Sequence, residues 1–163
     1  MRLVKSGLIT IVTGVVAAFS AVSSASDEYR LSAFADVSGY AQSKSSNSGE
    51  AQEFIVARSG KKMDFLELNN LCVLELLVED FSSAIEICEA ALGKSTSTRG
   101  IGFGAKKKVE ASIHSNLAVA KALSGDLEGA EIELEMALSL NSLDSNAKAN
   151  LEWLASSVLI AGL

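Results

Sequence analysis

Apolar residues recur at three- and four-residue steps from Met63 onward. Leu66, Leu71, Leu74, Leu77 and Val78 make one run, "EDF" at 79–81 interrupts it, and Phe81, Ala84, Ile85, Cys88, Ala91 and Leu92 resume it. That spacing predicts an antiparallel pair of α-helices. Asp80 is placed to cap the second helix, because its carboxylate can accept from an otherwise orphaned backbone N–H. The design returns downstream, where Leu117, Ala120, Leu123 and Leu127 bracket a Gly125-Asp126 turn. Glycine there suits a left-handed helix end and aspartate the next cap. Residues 26–62 alternate only weakly and contain a Ser-rich stretch, "SKSSNSGE". They read as a poorly ordered leader and linker with at most one short helix. The expected architecture is therefore all-α, with the folded domain at 63–163.

The first 25 residues follow another pattern. Arg2 and Lys5 precede an apolar run from Leu8 to Phe19, and Ser23-Ser24-Ala25 ends it with small residues. A positive start, an apolar centre and a small-residue exit describe a secretory signal peptide over 1–25, cut after Ala25. The run is shorter than the roughly 20 residues a spanning helix needs, so no stable membrane insertion is expected after cleavage. The expected location is periplasmic or secreted. Removing 1–25 takes Arg2 and Lys5 from 14 basic residues and leaves 12 against 20 acidic ones, a net charge of −8. Such a balance offers no attractive field to nucleic acid or to an anionic membrane. The lysines at 106–108 read as a solvated helix start.

The two hairpins align at a constant offset. Asn70-Leu71 falls on Asn116-Leu117, Asp80 on Asp126, Ala84 on Ala130 and Ala91-Leu92 on Ala137-Leu138, each 46 residues apart. A further 34 residues lead from Asn116-Leu117 to Asn150-Leu151, so the first offset is 34 plus a 12-residue excess in "GKSTSTRGIGFG". A 34-residue helix-turn-helix unit with an early leucine and spaced alanines resembles the tetratricopeptide repeat. The matches are Leu71, Ala84 and Ala91, then Leu117, Ala118, Ala130, Leu134 and Ala137, then Leu151 alone. The chain departs from the pattern at Leu68, His114 and Lys148 (aromatic sites), at Glu75 and Lys121 (the tyrosine site), and in having no proline.

The resemblance covers about residues 65–163. It implies a short helical-hairpin (TPR-like) solenoid of about two and a half repeats, whose inner surface binds a partner protein or peptide. By the family's pattern that surface would comprise Asn69, Val73 and Leu76, then Ser115, Val119 and Ala122, then Ala149, Trp153 and Ser156. Trp153 is the foremost anchor candidate, with packing against the leader as the alternative. A homodimer through the apolar C-terminal helix is left open.

Candidate chemistry is sparse. His114 is the only histidine, and it has no sequence neighbour suited to nucleophilic or acid–base work. Cys72 and Cys88 are 16 apart and lack metal-type or C-x-x-C spacing, so no metal site, cofactor or redox centre is expected. Gly93-Lys94-Ser95 matches the end of a phosphate loop, but Cys88 stands where its first glycine is required. "GIGFGA" lacks the strand-then-helix context of a dinucleotide loop, and both segments read as a flexible insertion over 93–108. Glu131, Glu133 and Glu135 read as a solvated face. A hydrolase or transferase with its chemistry in the leader or the insertion is the competing reading. An envelope assembly or stress accessory factor differs from the binding module only in context.

The cysteines stand symmetrically about Asp80, each eight residues away, or about 12 Å along its helix at roughly 1.5 Å per residue. Ala84 and Ala91 allow the close helix approach that a disulfide needs, and export favours its formation. A Cys72–Cys88 disulfide is therefore expected, with two buried free thiols as the alternative.

Overall fold

The computed structural model describes residues 28–45 and 47–161, the side chains of 160 and 161 excepted. The signal peptide read at 1–25 lies outside the described residues. Within them are seven helices and no strand: α1 Tyr40–Lys44, α2 Ser48–Arg58, α3 Phe65–Leu77, α4 Phe81–Ser97, α5 Phe103–Leu123, α6 Leu127–Leu140 and α7 Ser145–Ala161. The fold is all-α. Helices α3 and α4 form one hairpin, α5 and α6 a second, and α7 packs on both α5 and α6.

Both hairpin turns are built alike. At the first, Asp80 N–H donates to Glu75 O and Glu79 N–H to Leu76 O; at the second, Asp126 N–H donates to Lys121 O and Gly125 N–H to Ala122 O. The left-handed residue is Gly125 (φ 97°) in one and Glu79 (φ 62°) in the other. Asp80 accepts from Ser83 N–H at 3.1 Å and Asp126 from Gly129 N–H at 2.9 Å, so both aspartates cap as their sequence positions predict. Asp64 opens α3 with a reciprocal cap, its carboxylate taking the Leu66 and Glu67 N–H groups while Glu67 takes that of Asp64.

Two apolar cores follow from this arrangement. The first joins α3, α4 and α5 through Leu68, Leu76, Ala84, Ala91, Ile113, Leu117 and Val119. The second joins α5, α6 and α7 through Ala118, Ala130, Leu134, Ala137, Ala147 and Leu154. Helix α5 contributes to both, so the array is continuous. Cys72 and Cys88 meet at the centre of the first core with Cα atoms 5.4 Å apart and form the expected disulfide.

Two segments differ from their sequence reading. The insertion at 93–108 is mostly helical, with only residues 98–102 between α4 and α5. Its Ser and Thr hydroxyls bond back to carbonyls of their own helix: Ser95 to Leu92, Thr96 to Gly93, and Ser97 and Thr98 to Lys94. Residues that usually compete with a helix here extend one. The leader carries two helices and an extended segment instead of at most one helix. Asn47 caps α2 through Gly49 N–H, and an Arg58–Glu67 ion pair at 2.6 Å ties α2 to α3. Gly39 (φ 89°) begins α1 where an added Cβ would press on Phe54, Asn70 and Leu74.

Candidate binding groove on the inner face

The register that aligned the hairpins also aligns a set of buried amides. Asn70 on α3, Asn116 on α5 and Asn150 on α7 are each fully buried. An amide carries two donors and an acceptor that must be matched when water is excluded, so each needs partners. All three find them in the leader. Asn150 Oδ1 accepts from Arg30 N–H at 2.6 Å while its Nδ2 donates to Arg30 O at 2.8 Å. Asn116 does the same for Ser32, at 2.9 and 2.8 Å. Asn70 does the same for Phe34, at 2.7 and 3.0 Å. Residues 30, 32 and 34 are alternate positions of an extended chain, whose side chains point to opposite sides by turns. The leader thus crosses α7, α5 and α3 in that order, gripped at every second peptide group.

A second tier holds the grips in place. Asn69, one residue before Asn70, accepts the other Asn116 amide proton at 2.9 Å and itself donates to Ser32 O at 2.8 Å. Ser115, one residue before Asn116, accepts from Asn150 Nδ2 at 3.0 Å. Asn70 spends its remaining donor on Ser38 O at 3.2 Å, fixing the turn into α1. Asn146 reaches the Ser32 hydroxyl at 2.9 Å. With the side-chain nitrogen and oxygen of Asn69, Asn70, Asn116 and Asn150 all engaged, the network holds the leader against α3, α5 and α7.

Side chains of 29, 31 and 33 face the opposite side. Tyr29 meets Trp153 edge-on with ring centroids 5.4 Å apart, and both Tyr29 and Leu31 pack against the first core. Burial pushes the Tyr29 phenol above its ordinary range, with the charges of Glu28 and Glu79 adding to the effect. Tyr29, Leu31 and Ala33, with Glu28, border a cleft of about 270 Å³ whose other side is formed by Val73, Leu77, Ser43 and Lys44.

The nine residues assigned to the inner surface divide on inspection. Asn69, Ser115 and Val73 are buried beneath the leader, and Trp153 packs against its Tyr29, the alternative to a free anchor. Leu76 and Val119 belong to the first core, and Ala122 packs beside the second. Ala149 is almost completely covered, and Ser156 is exposed with its hydroxyl turned back to Glu152 O. The clasping asparagines themselves were signalled in the sequence only as register marks, three Asn-Leu pairs at offsets of 46 and 34.

Outside the groove, one polar cluster ties α5 to α6. Glu133 bridges His114 Nδ1 at 2.6 Å and Lys121 Nζ at 2.7 Å. Burial pushes its carboxyl up, but the hydrogen bonds and charges of His114 and Lys121 outweigh this and hold it below the usual carboxylate range. Glu133 is therefore part of a buried-edge tie, unlike its exposed neighbours Glu131 and Glu135. On α3, burial raises Glu75 above that range, and Asp80 adds to the shift.

Compared with known proteins, the chain matches no family model, no curated sequence and no solved structure. The architecture and the groove stand on their own geometry. The disulfide accords with an oxidising compartment, and no helix among the described residues is long and apolar enough to cross a membrane.

Proposed function

We propose that this chain is a non-enzymatic, exported interaction module of the tetratricopeptide-like kind, which binds a partner polypeptide in extended conformation along its inner face. One observation carries the reading: three buried asparagines in repeat register grip alternate peptide groups of an extended segment. Backbone clasping of this sort suits polypeptide ligands, because every residue except proline offers the same N–H and C=O pair. The signal-peptide pattern in the sequence of residues 1–25 and the disulfide both support export to the periplasm or beyond.

A photoreactive residue in place of Lys44, which borders the groove, should crosslink to another polypeptide in intact cells. The same probe in place of the exposed Ile132 on α6 should not. Adducts confined to the chain itself would overturn the reading.

A further inference from the structure

The leader occupies the groove in a way that specifies what could replace it. Its grip is almost entirely on backbone at 30, 32 and 34, so the clasps tolerate any non-proline residue there. Selection falls to the opposite side, where Tyr29 meets Trp153, Leu31 packs against the first core, and both border with Ala33 the unfilled cleft of about 270 Å³. Of these three side chains Ala33 is the smallest, and it has the most room to grow into the cleft. A segment with a larger side chain at the third position would bury apolar area that the leader leaves in water. Tethering gives the leader a high local concentration, so a competitor needs such an advantage to displace it.

Resting on the function proposed above, we infer that the leader is a resident stand-in. The true ligand is an unpaired, β-strand-like segment of a partner protein, with an aromatic, an aliphatic and a second large aliphatic residue at alternate positions. It runs from α7 towards α3, as the leader does, and presents free N–H groups at the intervening residues.

The test uses the full chain with Arg30→Pro and Ser32→Pro together, which removes two clasped N–H groups from the leader and leaves the asparagines intact. Binding of a fluorescent peptide with the sequence of residues 28–35, EYRLSAFA, is read by anisotropy. The peptide should bind, and a version with leucine in place of the alanine at position 33 should bind about ten-fold more tightly. Exchanging the leucine and serine of positions 31 and 32 changes the Tyr-to-Leu spacing from two to three, so that no register restores both contacts. Binding should fall by about ten-fold or more. N-methylation at the position of Ser32 should weaken binding by a similar factor, whereas N-methylation at Ala33, whose N–H is unclasped, should change it less than about three-fold.

Equal affinity for the native and exchanged peptides would overturn the alternation rule and leave the polypeptide-binding reading standing. Failure of every peptide to bind the folded variant would overturn both. Should the variant lose its helical circular dichroism, the wild-type chain decides. Millimolar leucine-substituted peptide, its tyrosine replaced by phenylalanine, should shift the emission of Trp153, the only tryptophan, by removing Tyr29 from it. An unchanged spectrum would overturn the proposal.

Discussion

The two helical hairpins share one register and hold together by different chemistry. In the first, Cys72 and Cys88 are joined by a disulfide; in the second, the equivalent positions carry Ala118 and Leu134, which pack in the second core. The polar positions differ as sharply. His114, Lys121 and Glu133 form a three-member tie in the second hairpin, while the first has Leu68, Glu75 and Ile87 at those places. Glu75 therefore sits buried with none of the cations that stabilise Glu133, and the two carboxyls shift in opposite directions. The shared parts are the capped turn and the clasping asparagine. A common frame can thus be closed covalently or by packing plus an ion pair, provided the inner face keeps its amide.

The largest effect that separates the hairpins is the covalent one. Replacing Cys72 and Cys88 by alanine should lower the unfolding free energy by about 3 kcal/mol, the loop-closure value for a loop of about 15 residues. Guanidinium unfolding of the variant beside the oxidised wild type measures it. A loss below about 1 kcal/mol would mean that packing alone closes both hairpins.

Acid should act on the hairpins with opposite signs, by about 1 kcal/mol or less each, as befits partly buried charges. Glu133 is depressed in the folded state, so its contribution is present above the ordinary carboxylate value of 4.5 and is lost as pH falls through its lower folded value. Glu75 is raised, so its ionised form opposes folding at neutral pH and that penalty is relieved as pH falls towards 4.5. Denaturant unfolding from pH 7 to 3 should show Glu133→Gln abolishing part of the acid loss. Glu75→Gln should gain stability at neutral pH and lose the relief on acidification. Parallel pH profiles for the two variants would erase the distinction.

The smallest difference lies in the turns. Glu79→Gly would give the first turn the glycine of the second at a left-handed position, relieving roughly 1–2 kcal/mol of steric cost but adding freedom to the unfolded chain. The net gain should be about 0.5 kcal/mol, seen as a small rise in melting temperature; Gly125→Glu should reverse it.

Much of this comparison was legible in sequence because it depends on local spacing. Helical periodicity, Asp80 and Asp126 as caps, Gly125 at the turn and the symmetric cysteines each act within a few turns of helix. The groove was not legible, because its bonds join residues 36, 84 and 120 positions apart. No local pattern in "EYRLSAFA" marks it as the occupant of a site. A sharper signal did exist. Asparagine recurring in repeat register on an otherwise apolar stretch demands buried partners, and none of the three finds one in its own helix. The insertion misled for the opposite reason, since its Ser and Thr residues satisfied their hydroxyls within the helix they were expected to end.

In an array whose units touch only their neighbours, stability is nearly a sum of local terms and unfolding can fray from an end. The clasped leader cancels that independence, because it fastens α7, α5 and α3 to one short stretch of chain. It also imposes an order of assembly. Arg30 precedes Asn150 by 120 positions, so its clasp can form only once α7 has joined the fold.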